Sequence, residues 1–446
     1  MNIFISIFFF LLVLLFVFTK NYKGQLVLII LSLVGNMFYF DVIGTRVLLF
    51  QMITLLALPF YISGNYRSIN KLILGIRYEY VILLILGLLY GFIFPWQDNS
   101  SIRTWSQLAG GRAIVALVRI LIEILLIYYT YRVFIRGKVS NIFLINTISL
   151  ILIFTSLFAF FDFIFDHQFW KLFFSEASYS SLFDARFIGF SHEPRSFGRL
   201  TVVPWFILLI YKLNKTQTKY SNIALVSGFL SIVLSLSFST YIIFLFGLII
   251  LAFFRMSFKI SKKSVLIFLI FASAIYSSYN LISKTDYFKS GLVYRFIMLT
   301  EGKIGFQMSG EPIFFTSFEV FDRAALNFFY NNSKYIYFGT GPNLISIPSS
   351  EYLDKSAVYT FNRTLVGIPG IGLINHISRA GLIGFIFYFF SFYKIYSHLK
   401  KNHSKSMKEI FLVTSTIYFL VGNPWIYFII GYVVAQNELL IITKIK

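Results

Sequence analysis

Long apolar runs separated by short polar stretches dominate the chain. The runs fall near 3–18, 25–40, 46–62, 79–95, 112–131, 141–161, 200–211, 222–238, 240–254, 264–281, 370–393, 410–421 and 425–440. Crossing roughly 30 Å of hydrocarbon takes about 20 helical residues, and only a helix satisfies its own backbone there. The pattern therefore predicts thirteen spans, within a range of about 12–14 transmembrane helices. It also predicts an all-α polytopic membrane protein with a single integral membrane domain over 1–446. Several runs are short. Those meeting at Ser237–Thr240 and at Asn423–Trp425 read either as tight helical hairpins or as single broken helices. The first run has no basic segment before it and no small-residue cleavage pattern after it, which marks a retained helix rather than a signal peptide.

The polar stretches alternate in charge. Segments 20–24, 63–78, 132–140, 211–220, 255–264, 393–408 and 441–446 hold 22 Lys or Arg and no Asp or Glu, whereas the opposite set holds 15 basic and 14 acidic residues. Positive residues stay on the cytoplasmic side, so the N-terminus and the two largest loops, 162–199 and 282–369, are expected outside. The second is rich in Phe314, Phe315, Phe328, Phe329, Tyr330, Tyr335 and Tyr337. That composition predicts a folded lid on the membrane surface rather than disorder.

Composition narrows the class further. With 58% hydrophobic and 13% charged residues and a mean hydropathy of +0.77, the chain is no ordinary soluble protein. Its net charge of +21 is distributed as membrane topology requires, so nucleic acid is not an expected partner and the lipid bilayer is. The absence of cysteine excludes disulfides, thiolate metal sites and cysteine nucleophiles.

Chemistry concentrates in RFIGFSHEPRSFGR, where Arg186, His192, Glu193, Arg195 and Arg199 lie within fourteen residues just before an apolar run. Pro194 suits the first position of a helix, with Glu193 as its N-cap. Arg195 and Arg199 then share a face, and the free N–H groups and dipole of that helix end favour an anion. The stretch reads as a phosphate or pyrophosphate cradle beside a carboxylate, or as arginines snorkelling to headgroups beside an ordinary cap.

Other charges in or near spans are candidates by virtue of their cost. Arg119 and Glu123 stand four apart on one face, as an intrahelical ion pair or a site. His376 and Arg379 share a face three residues apart in GLINHISRAGLIG. In the long loop Arg295, Arg323 and Arg363 are spread among acids, the first two in amphipathic surroundings. YFGTGPN, residues 337–343, is a Gly-rich turn without the strand or the Lys-Ser/Thr ending of a nucleotide-binding loop. No HExxH, acidic pair for a metal-bound nucleotide sugar, GxSxG or Walker motif occurs, which disfavours a cytoplasmic nucleotide-dependent enzyme.

RFIGFSHEPRSFG after about six spans, Arg295 ahead of FGTGPN, the long outward loop and RAGLIG opening a late span together resemble the O-antigen polymerase (Wzy-type) and O-antigen ligase superfamily. The resemblance implies a metal-independent GT-C-type glycosyltransferase, without cofactor, in the bacterial cytoplasmic (inner) membrane with its active site facing the periplasm. Its donor would be an oligosaccharide linked to undecaprenyl pyrophosphate. A polymerase moves the growing chain from its lipid pyrophosphate to a new lipid-linked repeat unit, alongside a chain-length regulator and a flippase of the same pathway. In this chain the order Asn375-His376, five residues before Gly381, departs from the ligase pattern. The polymerase is therefore expected, ahead of a ligase transferring glycan to lipid A-core or protein, and of a lipid-linked oligosaccharide flippase. Glu193, with His192 beside it, is the expected catalytic pair. Arg186, Arg195, Arg199, Arg295 and Arg323 are the expected pyrophosphate ligands, and Arg363, His376 and Arg379 are further candidates.

Overall fold

The computed structural model describes residues 3–42, 45–62, 64, 66–96, 108–165, 187–191, 194–216, 218–235, 237–255, 320–353, 369–401 and 405–445. The helices are α1 (Ile3–Phe18), α2 (Tyr22–Val34), α3 (Leu49–Leu56), α4 (Leu58–Tyr61), α5 (Arg67–Leu72), α6 (Leu74–Leu88), α7 (Ala109–Arg136), α8 (Asn141–Ile164), α9 (Pro194–Leu213), α10 (Ser221–Leu234) and α11 (Phe238–Arg255). They continue as α12 (Val320–Asn331), α13 (Lys334–Phe338), α14 (Gly372–Lys401), α15 (Lys405–Val421) and α16 (Trp425–Ile445). The fold is mostly helical, and five of the described helices are long and apolar enough to cross a membrane. Twelve of the thirteen predicted spans meet helices, while 264–281 lies outside the described residues.

The largest departure concerns the second and third predicted spans. The helix of the second ends at Val34, and the chain then forms an antiparallel hairpin, β1 (Tyr39–Val42) with β2 (Thr45–Leu48), in which Tyr39 pairs with Leu48 and Asp41 with Arg46. The third span is divided into α3 and α4. This two-stranded hairpin is a local exception within a mostly helical chain. Aromatic and β-branched residues at 38–40 and 47 close one predicted span and open the next but favour strand, so a hydropathy window does not separate them from helix.

Both pairs left open by the sequence are separate helices. One helix, α10, ends at Leu234 and the next, α11, begins at Phe238. Gly422–Pro424 divides α15 from α16, where Asn423 Oδ1 accepts from the Trp425 N–H (3.1 Å) as a local cap. As predicted, α9 starts at Pro194.

The two ends of the bundle differ. Lys20, Tyr22, Tyr61, Tyr129 and Arg132 gather at one, where Glu438 accepts from Ser68 and Tyr131. At the other, Trp425 Nε1 donates to the Leu33 carbonyl (3.0 Å), and the Met37 N–H donates to the Phe190 carbonyl (3.1 Å). That second end also receives α12 and α13. Ala325, Phe328, Phe329 and Ile345 form a small core with Trp96 and Tyr335 on the start of α14, and Asp322 Oδ1 accepts from the Ile371 N–H (3.0 Å). The described part of the long loop is thus folded, as its aromatic content predicted. Phe314 and Phe315 lie outside the described residues.

Candidate functional site

A cavity of about 430 Å³ opens at the end that carries the hairpin. Its wall draws on Arg46 of β2, Arg119 and Glu123 of α7, Asn375, His376 and Arg379 of α14, Tyr418 of α15 and Tyr427 of α16. Glycines bring these elements together. A Cβ on Gly372 would lie 2.2 Å from the Tyr418 carbonyl oxygen, and one on Gly75 would lie 1.9 Å from that of Phe387. The start of α14 therefore seats on the end of α15, and α6 seats on the second half of α14.

Arg379 is presented by a break in α14. Gly381 takes φ 67° and ψ −178° within an otherwise helical run, a conformation costly for any residue with a side chain. A break frees carbonyls that the helix would have satisfied, and the Gly-rich turn supplies their donors. The N–H and the hydroxyl of Thr340 donate to the Ser378 carbonyl at 2.6 and 2.8 Å. The Gly341 N–H donates to the Arg379 carbonyl at 3.2 Å. Gly339 and Gly341 have φ of 77° and 96°. The FGTGPN and RAGLIG motifs, forty residues apart in sequence, thus form one structure.

The polar wall is a connected network. His376 and Glu79 are 2% and 3% exposed, with His376 Nδ1 3.3 Å from Glu79 Oε1 and Nε2 2.5 Å from the Tyr418 hydroxyl. Arg379 Nη2 lies 3.1 and 3.2 Å from the two ring nitrogens and 3.3 Å from the Tyr418 hydroxyl. Tyr418 and Tyr427 are 3.2 Å apart. Glu123 lines the same cavity beside Tyr427, in the field of Arg379 and Arg119. Arg119 Nη2 donates to the Arg46 carbonyl (3.3 Å), and the Arg46 guanidinium lies 4.8 Å from the Tyr39 ring centre. Three guanidiniums facing one carboxylate across a cavity leave net positive charge for an anion, and the planar fork of arginine suits phosphate oxygens.

The predicted site residues divide into groups. His376 and Arg379 are in the cavity wall, as are Arg119 and Glu123. Arg199 is adjacent to it: its carbonyl accepts from Asn423 Nδ2 (3.1 Å), a residue of the cavity wall, while its Nε donates to Ser239 Oγ (3.0 Å). Arg195, half-buried, and Arg323, 7% exposed on α12, do not line the cavity. Arg186, His192, Glu193, Arg295 and Arg363 lie outside the described residues.

Arg46, Glu79 and the Tyr418–Tyr427 pair were not singled out from sequence. The first stood at the margin of a supposed span. The other three carry one polar group each in long apolar helices, and only Glu79, a lone carboxylate inside a span, gave a usable signal. No protein-family model and no curated protein matches the chain.

Proposed function

We propose that the chain is a GT-C-type polymerase of lipid-linked glycans, working at the outer face of a bacterial cytoplasmic membrane on undecaprenyl-pyrophosphate-linked repeat units. The observation that supports this reading is the convergence of Arg46, Arg119 and Arg379 with Glu123 on one cavity, at the bundle end where α9 and the long loop meet. The acid-free basic segments at the opposite end support a cytoplasmic assignment there, and in this reading the cavity faces the periplasm.

In this reading the guanidiniums hold the donor diphosphate. The acceptor hydroxyl oxygen bonds to the anomeric carbon, the anomeric carbon–oxygen bond breaks, and its electron pair leaves on the diphosphate. The arginines stabilise that charge as it forms. The hydroxyl proton passes to a carboxylate, assigned to Glu193, the residue that precedes Pro194 in sequence. Glu123 keeps Arg119 and Arg379 apart and aimed. The polyprenyl tail lies along the apolar helices.

A chromosomal deletion tests the polymerase against its relatives. Single repeat units capped onto the final acceptor are the expected product. Accumulation of uncapped lipid-linked polymer would identify a ligase instead, and retention of repeat units at the inner face would identify a flippase.

A further inference from the structure

Glu79 is a carboxylate in the second turn of an apolar helix, 3% exposed, and such a group is costly unless it is paired and hydrogen-bonded. Its Oε1 lies 3.3 Å from His376 Nδ1. A carboxylate only accepts, so Nδ1 carries the hydrogen toward it. In the neutral ring Nε2 is then the acceptor for the Tyr418 hydroxyl, 2.5 Å away. With both ring nitrogens engaged by two different helices, the imidazole is fixed in rotation.

Arg379 rests on that fixed ring. Its Nη2 is nearly equidistant from the two nitrogens, at 3.1 and 3.2 Å, which sets the guanidinium against the ring rather than in line with one nitrogen. Among the described residues its buried Nε has no partner, and the residue lines the cavity. The guanidinium is therefore held by one edge, with donor capacity left over. Glu79 is not among the described residues that line the cavity; its hydrogen-bond route to the site runs through His376.

We infer that Glu79 is a positioning residue, which through His376 fixes the Arg379 guanidinium for a diphosphate in the cavity. The inference rests on reading the cavity as a diphosphate site. What Glu79 supplies is an acceptor oxygen at one distance and direction, and its negative charge is secondary. This makes the order of substitutions diagnostic. Glu79→Gln keeps a carbonyl oxygen at the same reach, whereas Glu79→Asp keeps the charge and withdraws the oxygen by one methylene.

The test uses the full-length protein in lipid nanodiscs, with inorganic pyrophosphate and geranyl pyrophosphate as probes, binding being followed by calorimetry. Glu79→Gln is expected to bind within a few-fold of the unmodified protein. Glu79→Asp is expected to lose about tenfold and Glu79→Ala about 10²-fold, the scale on which a misplaced binding group acts. Glu79→Ala combined with Arg379→Ala should bind no more weakly than Arg379→Ala alone, because residues acting as one unit are not additive. Asp binding better than Gln would overturn the inference in favour of simple charge balance, and so would independent losses in the double variant. Unmodified protein that binds neither probe would contradict the diphosphate reading itself. Unmodified protein that binds, with Glu79→Asp unimpaired, would contradict only the role of Glu79.

Discussion

The Thr340 hydroxyl and the Thr340 N–H both donate to one atom, the Ser378 carbonyl oxygen, at 2.8 and 2.6 Å. This links the long loop to the helix that carries His376 and Arg379, at the point where that helix is broken. The loop thereby supplies donors to carbonyls that helical pairing has released, and Arg379, next to the acceptor residue, takes its position from the same junction.

Glycine at the junction is required on both partners. A Cβ on Gly381 would lie 2.1 Å from the Tyr337 carbonyl oxygen, and one on Gly339 would lie 2.6 Å from the Gly381 nitrogen. Gly381→Ala and Gly339→Ala should each destabilise the protein by at least about 1–3 kcal/mol from backbone strain alone. Thermal unfolding in detergent measures this. Thr340→Val, which removes only the hydroxyl, should cost about 1 kcal/mol and leave the fold in place.

Arginine geometry at the cavity gives a second expectation. Arg379→Ala and Arg119→Ala should each weaken donor binding and lower the transfer rate together, since they remove charge-assisted contacts to the diphosphate. Lysine at either position should restore only part of the loss, because a point charge does not reproduce the bidentate fork. Steady-state kinetics with purified lipid-linked repeat unit separates the two effects, and complete rescue by lysine would show that charge alone is needed.

The proton acceptor is tested by Glu193→Gln, which should preserve donor binding while lowering turnover by about 10² to 10⁴, the scale of a lost general base. Were Glu193 only an N-cap, the same change would cost about 1 kcal/mol of local stability and leave turnover nearly intact. In that case Glu123, the carboxylate of the cavity wall, becomes the next variant to measure.

Orientation follows from charge. Because the chain has no cysteine, single cysteines introduced at 180, 330, 215 and 402 report without background. Positions 180 and 330 should react with an impermeant maleimide from the periplasmic side, and 215 and 402 only after permeabilisation. Labelling of 180 and 330 from opposite faces would separate the two loops that the proposed site combines.

Most of the helical framework was legible because a membrane span must be apolar over a fixed length, and that signal survives without knowledge of packing. The start of α9 at Pro194 and the tight turn at FGTGPN were readable from backbone rules for proline and glycine. The hairpin was not, since its outer residues, up to Phe40 and from Arg46, read as the ends of two apolar runs and their strand preference lies in residue shape. The candidate site was readable only by half. His376 with Arg379 and Arg119 with Glu123 stood out as charges in apolar helices, each visible as a local pair. Their meeting in one cavity depends on how α6, α7, α14, α15 and α16 pack, which local spacing does not encode. The same limit applies to Arg323, whose helix was foreseen but whose burial away from the cavity was not.

The central claim is that the cavity formed by Arg46, Arg119 and Arg379 holds the pyrophosphate of a lipid-linked glycan donor and that transfer occurs there. Single-turnover transfer between purified lipid-linked repeat units, comparing the unmodified enzyme with Arg379→Ala, measures this most directly. The unmodified enzyme should convert repeat units into lipid-linked dimers, and the variant should show a transfer rate lower by about 10² or more together with weaker donor binding. Unmodified transfer and donor binding in Arg379→Ala would contradict the account.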